Sequence, residues 1–424
     1  MDADISYLLS LEAVRQRARC VLEAAENGGL SHFDYHRDNL ESAADIVERT
    51  IVRDFGPDKF HEIPPHGRWQ HFDVGGVDRI AKLLADLGPA DSMEKTRCLI
   101  DLFFVSVLLD AGAGDTWRFK EPVYEQSYGR SEGIAVASFY MFTSGVLSSE
   151  AGTATRVDGL SLSKLEDAQL LSMFQISSDN TMIGVESRAQ LLRDVGKSLL
   201  RLPEIFGVNG RPGNLADYLT QSSADPQFID YKDLWSALQK LLIPSWPLNR
   251  THIHGQPLGD AWPLKVLERQ ASKDGSSDIS ATIQPFHKLT QWLAYSLSVP
   301  FVRVLGLEWK NIDLGTGLAE YRNGGLFVDT GVLSLKDWDS STETGLPKFD
   351  ASSDVIVEWR AMTVALLDRL HEILSQRFAS KGVKLDMAQM LEAGSWKTGR
   401  ELAAEHRPET RSSPIIITGD GTLF

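Results

Sequence analysis

Hydrophobic positions recur along this chain at helical spacing far more often than at strand spacing. From Ser10 onward, Leu11, Val14, Ala18, Val21, Leu22 and Ala25 share one face and Asn27-Gly28-Gly29 ends the run, which predicts a surface helix with one buried stripe. A second helix is predicted from Asn39 to Arg53, with Leu40, Ala44, Val47 and Ile51 facing inward and Gly56-Pro57 beyond its end. The stretch from Glu62 to Gly76 loses the period, because tandem prolines and several glycines cannot extend a helix, and reads as an ordered loop rich in donors.

A buried helix from Ser92 to about Leu109 then meets Asp110-Ala111-Gly112-Ala113-Gly114-Asp115, whose glycines permit a tight backbone path. Glu186 to Leu202 is amphipathic, with Leu191, Leu192, Val195 and Leu199 on one side. Phe286 to Leu297 is apolar around most of its circumference and predicts a core helix, so its Lys288 and Gln291 require partners. A last long helix is predicted from Asp354 to Phe378. Strand signals are confined to Leu326–Leu335 and Ile415–Thr418.

No repeat or low-complexity tract interrupts the pattern, and the polar pieces Ser272–Ser280 and Asp337–Thr344 read as surface loops. The expectation is a mainly α protein with few short strands, one large helical domain over residues 1–424 and no alternating strand–helix pattern of a parallel sheet.

Charge narrows the partners. With 43 Lys and Arg against 58 Asp and Glu, the net charge of −15 is the opposite of what a nucleic-acid polymer attracts, so any nucleotide chemistry should concern a monomer. The two cysteines, Cys20 and Cys98, have neither paired spacing nor nearby ligands, which fits a reducing compartment. The longest apolar stretch, Leu99–Leu109, is interrupted by Asp101 and Ser106 and falls far short of a bilayer span of roughly 20 residues. No signal sequence is evident, no membrane role follows, and a cytoplasmic location is expected.

Polar, glycine-associated clusters are the candidates for chemistry: His66-Gly67-Arg68-Trp69, Asp110 to Trp117, Gly129-Arg130-Ser131-Glu132-Gly133 and Glu320-Tyr321-Arg322-Asn323-Gly324-Gly325. Loops this dense in charge and glycine often line sites, although any single arginine can simply pin a turn. Lys288 needs an anion, either a protein carboxylate or a ligand phosphate. Glu320 could act on a reacting centre or pair with Arg322. His252 and His254 have the His-x-His spacing of some zinc sites but lack the barrel pattern that usually surrounds it. No phosphate-cradling P-loop, nucleophile elbow or dinucleotide fingerprint occurs, and no cofactor is expected.

These loops carry a resemblance. IPPHGRWQHF (Ile63–Phe72), LDAGAGDTW (Leu109–Trp117), GRSEGIAVAS (Gly129–Ser138), PFHKLTQWLAYSL (Pro285–Leu297), EYRNGGLFVDTGVL (Glu320–Leu333), VEWRAMTVALLD (Val357–Asp368) and IIITGDGTLF (Ile415–Phe424) resemble the uracil catabolism protein 4 family over nearly the whole chain. That family implies a place in the ring-opening route of uracil breakdown, where a GTP cyclohydrolase II-like partner acts and ribosylurea species and urea appear. The order of motifs is also similar to that of the queuosine salvage proteins, which hydrolyse the N-glycosidic bond of queuosine 5′-phosphate on a helical fold related to DNA glycosylases.

In that second family a Lys-x-x-Gln helix holds phosphate and an Ala-Asp-Tyr-Arg motif supplies the catalytic carboxylate. Lys288-Leu289-Thr290-Gln291 and Ala319-Glu320-Tyr321-Arg322 stand in the matching order here, with Glu in place of Asp. The resemblance therefore implies Glu320 as the catalytic carboxylate, with Asp260 and Asp329 as rivals, and Lys288 as the phosphate holder. Together with the polar clusters this gives a candidate substrate-binding set of Lys288, Gln291, Tyr321, Arg322, Arg68, His66, Asp110, Trp117, Arg130 and Glu132.

The implied reaction is hydrolysis of ribosylurea 5′-phosphate to ribose 5-phosphate and urea, with Lys288 on the phosphate and a proton donor near Asp110, Arg130 or Tyr321. Two alternatives stand beside it. One is a non-catalytic subunit that binds the ring-opened intermediate or its cyclohydrolase-like partner. The other is a metal-dependent amidohydrolase using His252 and His254.

Overall fold

The computed structural model describes residues 3–110, 116–150, 152–247, 250–338 and 345–419. Within it the chain is mainly α-helical. Its strands are two or three residues long and pair only two by two. The described residues gather into two compact units, one from residues 3–66, 250–291 and 313–419, the other from 67–247 and 292–312.

In the first unit the 26-residue helix Asp354–Ala379 is the spine. Its apolar residues are buried on nearly every side for the first four turns, because the helices Leu11–Glu26, Asn39–Phe55 and Tyr321–Asp329 all pack against it. Both N-terminal helices lie as their stripes predict, with Val14, Ala18, Val21, Ala44, Val47 and Ile51 fully buried. Ser10 caps the first by accepting from the Ala13 amide at 3.1 Å. Two charges sink into the spine with it. Glu358 accepts the amides of Ser31, His32 and Phe33 at 2.8, 2.8 and 3.2 Å and so satisfies a turn that no ladder serves. Arg360 is taken up below.

A two-stranded antiparallel ribbon pairs Ala261–Pro263 with Ile283–Pro285, in the register Ala261 to Pro285. This register sets Asp260, just before one strand, against Phe286 and His287, just after the other; their amides donate to the Asp260 carbonyl at 2.9 and 3.1 Å. The ribbon thus delivers Asp260 to the start of the helix Lys288–Leu305. That helix begins two residues later than the apolar pattern predicts and continues past Leu297, through Pro300.

The expected strand at Leu326–Leu335 is corrected by the structure. Tyr321–Asp329 is a helix and only Leu333–Leu335 is extended, paired antiparallel with Phe33–Tyr35. Gly324 and Gly325 disfavour a helix in isolation by up to about 1 kcal/mol each, but tertiary fit decides. A Cβ at Gly324 would stand 2.8 Å from the Trp359 ring, and one at Gly399, on the neighbouring helix Trp396–His406, would stand 2.2 Å from the Arg322 carbonyl oxygen. The glycines are there so that three helices can approach, and composition alone reads them as loop. The strand at the chain's end is found as Ile416–Thr418, parallel to Lys348–Asp350.

The second unit is built on Ser92–Leu108, a helix buried around its whole circumference from Cys98 onward. Helices Arg130–Thr143, Val185–Leu200 and Leu215–Ser222 pack against it. A buried carboxylate of this helix, Asp101, accepts from Arg211 Nε and from the Gly213 amide, both at 2.7 Å; burial still pushes its carboxyl up to about 6. Glu62–Gly76, expected as a loop, begins at the end of the 3-10 segment Phe60–Glu62 and closes with a second, Trp69–Gly76. No helix among the described residues is long and apolar enough to cross a membrane. Residues 339–344 of the expected loop Asp337–Thr344 lie outside the described residues, as do 420–424 of the C-terminal motif.

Because the Gly399 contact is with backbone, it cannot be relieved by a rotamer change. Gly399→Ala is expected to lower stability by about 1–3 kcal/mol, seen as a lower urea midpoint at unchanged slope. An unchanged midpoint would show that this helix pair is not seated as described.

Candidate active site

Asp260 and Arg360 form the anchor of the first unit's polar interior. Both are at most 2 % exposed, and they meet in a two-pronged pair, Arg360 Nη1 to Oδ1 and Nη2 to Oδ2, each at 2.8 Å. Trp262 Nε1 donates to Oδ1 at 2.8 Å and the Lys288 amide to Oδ2 at 3.0 Å. Burial alone would push the Asp260 carboxyl up, but the guanidinium's charge and these hydrogen bonds hold it well below the usual carboxylate range. Asp260 therefore caps the helix that begins at Lys288 from a different segment of chain. Arg360 Nε reaches the Ala319 carbonyl at 3.4 Å, and its guanidinium lies 4.0 Å from the centre of the Phe286 ring. One arginine thus ties the start of the Lys288 helix to the residue before Glu320.

Gln291 makes the second tie. Its Oε1 accepts from Thr316 N and Oγ1 at 3.0 and 2.9 Å, and its Nε2 donates to the Phe286 carbonyl at 3.2 Å. This satisfies the polar group that an apolar helix left in need of a partner, and it pins the segment leading to Glu320. Between the ties sits His287, held at φ +47°, a left-handed conformation that costs a non-glycine residue on the order of 1 kcal/mol or more. Its Nε2 donates to the Leu8 carbonyl at 2.9 Å, and burial lowers its pKa.

Glu320 is buried and opens the helix Tyr321–Asp329 as its N-cap. Its Oε2 accepts the Arg322 amide at 2.8 Å and its Oε1 accepts the Asn323 amide. Burial pushes its carboxyl above the ordinary value, against the pull of those amides and of the positive charges on Lys288 and Arg322. The structure brings Lys288, itself half-buried, and Glu320 into one unit, near enough for the ammonium to be felt at the carboxyl. Arg322 lies 4.8 Å from the Tyr321 ring centre and donates to the Arg411 carbonyl at 2.9 Å, so its charge serves a loop and not an ion pair with Glu320. Asp329 is fully engaged by Arg407, at 2.9 and 2.6 Å.

Two residues linked to this helix start, Ser395 and Glu392, escape a reading of the sequence. Asn323 Oδ1 accepts from Ser395 Oγ at 2.8 Å. Ser395 closes a π-type turn, Leu391–Ser395, a local widening that often marks functional positions. The same turn carries Glu392, which accepts from His66 Nδ1 at 2.6 Å. Arg360 was legible in principle, since an arginine within an apolar run raises the same demand for an anion as Lys288 does.

The second unit holds a cluster of its own. Arg68, with no exposed side chain, donates from Nε to Ser106 Oγ at 2.7 Å and from Nη1 to Asp110 Oδ2 at 2.8 Å; its backbone amide donates to Ser296 Oγ at 3.1 Å. Burial lowers its pKa, opposed by Asp110 and by Glu132 in the first turn of Arg130–Thr143. Arg130 begins that helix at φ +52°. Trp117 is a core side chain, stacked on Phe174 at 5.8 Å and donating to the Phe174 carbonyl at 2.9 Å. Residues 111–115 of the Asp110–Trp117 cluster lie outside the described residues.

His252 lies exposed on a two-residue strand, its Nδ1 2.6 Å from the Arg250 carbonyl, and His254 follows in the turn. Among the described residues no group of three or more His, Cys, Asp or Glu could hold a metal ion.

Fold and site together define a mainly helical protein that sets a lysine near a buried, helix-capping carboxylate. Residues 7–424 match the family described as Protein of unknown function (DUF1688). The chain is 45% identical over 424 residues to Protein urg3 of Schizosaccharomyces pombe, covering 99% of each. It is 40% identical over 447 residues to Uracil catabolism protein 4 of Lachancea kluyveri, covering 100% of each. The chain belongs to this family, the uracil catabolism protein 4 family that its motifs resemble.

Removing the Asp260 charge leaves Arg360 buried and uncompensated, so Asp260→Asn is expected to cost about 3–5 kcal/mol in denaturant unfolding. Because the folded pKa is depressed, the pair's contribution is present above the unfolded carboxylate value of about 3.9 and is lost as pH falls below it. Wild-type stability should therefore drop through that window more steeply than that of the variant; parallel curves would contradict the assignment.

Proposed function

We propose that the chain acts in uracil breakdown and hydrolyses the C1′–N bond of ribosylurea 5′-phosphate, releasing ribose 5-phosphate and urea. The observation that carries this reading is the placing of Lys288 and Glu320 in one unit on a shared buried scaffold, the Asp260–Arg360 pair and Gln291. The name of the Lachancea relative supports the pathway.

Lys288 opens an 18-residue helix, so an ammonium and the positive end of a helix dipole stand together where a phosphate would be held. Asp260 lies at the same helix end, and Arg360 neutralises it. Binding energy from the phosphate, which does not react, orients C1′ against Glu320. As the C1′–N bond lengthens, positive charge builds on the sugar ring. The Glu320 carboxylate stabilises that charge and accepts a proton from the attacking water. The Arg322 and Asn323 amides hold the carboxylate in the rotamer that does this while leaving each oxygen a second lone pair.

That same capping role favours a second reading, a non-catalytic protein that binds the ring-opened intermediate, in which Glu320 serves only its helix. Contact with a cyclohydrolase-like partner would belong to either.

Purified protein given ribosylurea 5′-phosphate is expected to release urea, and Glu320→Gln to lower kcat by about 10²–10⁴-fold at similar KM. Tight binding without product in the wild type would favour the second reading. Lys288→Met is expected to raise KM by about 10- to 100-fold, the worth of a charge-assisted hydrogen bond.

Glu320 must be ionised to work and burial raises its pKa, so the acidic limb of the rate profile should lie above the ordinary glutamate value of about 4.3. Lys288→Met removes a charge that lowers this pKa and should move the limb to higher pH. A limb that stays put or moves down would contradict the coupling.

A further inference from the structure

We infer that His66, oriented by Glu392, is the proton donor to the departing nitrogen. This rests on the ribosidase reading and adds the group that reading lacks, since an ureido nitrogen is a poor leaving group unless it is protonated as the bond breaks.

His66 and Glu392 are both largely buried, with side chains 6 % and 14 % exposed, and they meet at 2.6 Å. A carboxylate can only accept here, so the proton on this side sits on Nδ1 and the catalytic proton is carried on Nε2. The ring is fixed further by Trp396, 5.8 Å away between centres, and the His66 amide donates to the Ala388 carbonyl at 2.8 Å.

The turn that carries Glu392 also reaches the start of the helix that Glu320 caps. Glu392 and Ser395 share the π-type turn, Ser395 bonds Asn323, and the Asn323 amide bonds Glu320. Other buried acids of the unit are engaged: Asp260 and Asp329 each accept from two nitrogens of an arginine, Glu358 accepts three backbone amides, and Asp368 accepts from Arg15 Nε at 2.9 Å.

In the step, the C1′–N bond breaks and its electron pair goes to nitrogen, which takes the Nε2 proton and leaves as neutral urea. A water oxygen bonds C1′ and passes its proton to Glu320. Return of that proton through solvent to His66 restores both groups, so substrate and water are the only reactants.

The test compares two leaving groups. Wild type, His66→Gln and Glu392→Gln are assayed on ribosylurea 5′-phosphate and on the 5-phosphate of 4-nitrophenyl riboside, whose phenolate departs without protonation. His66→Gln is expected to lose about 10²–10⁴-fold on the ureide while cleaving the activated substrate at nearly the wild-type rate. Glu392→Gln should show the same selectivity with a smaller loss, and it decides the contrast should His66→Gln fail to fold. Glu320→Gln should lose on both substrates. Equal losses on the two substrates, or none on either, in the His66 and Glu392 variants overturn the assignment while leaving the ribosidase reading intact. Wild type inert on both overturns that reading and this assignment with it.

Discussion

The site in the first unit depends on one buried ion pair. Asp260 and Arg360 come from a strand end and from the middle of a long helix, and neither could stay charged in that interior without the other. Paired, they serve two further elements, because Asp260 accepts the Lys288 amide and Arg360 donates to the carbonyl preceding Glu320. Apolar side chains of the same volume would fill the space, and such replacements are often neutral for stability, but they could not hold two chain segments in a fixed relation. The pair is better understood as a fixture for Lys288 and Glu320 than as a source of stability.

In the proposed reaction Glu320 serves structure and chemistry together. Burial disfavours its charge, while two amides, a helix terminus and a lysine favour it. The balance leaves a carboxyl that is easier to protonate than a surface glutamate, which suits the proposed role of taking a proton from water and giving it up again. The hydrogen bonds of Gln291, Asn323 and Ser395 keep the surrounding backbone from relaxing to relieve the penalty.

Much of this was legible in the chain. The long helices follow from apolar spacing, and Lys288 and Gln291 were marked because polar groups on an apolar helix must be satisfied. The helix Tyr321–Asp329 was not legible, since Asn323, Gly324 and Gly325 read locally as a turn. Only the close approach of Trp359 to Gly324 and of Pro414 to Gly325, both distant in sequence, makes glycine the residue that fits. Glu392 was hidden for a similar reason: a glutamate in a polar stretch carries no signal until folding sets His66, 326 positions away, against it. Local chemistry marks where a group is needed, and long-range contacts decide which group answers.

The central claim is that Lys288 and Glu320 grip opposite ends of one phosphorylated pentose. A crystal structure of the wild-type protein soaked with ribose 5-phosphate tests it most directly. The account predicts the phosphate within hydrogen-bond reach of Lys288 Nζ and the anomeric carbon facing the Glu320 carboxylate. A sugar phosphate bound in the reverse sense, or away from both side chains, would contradict it.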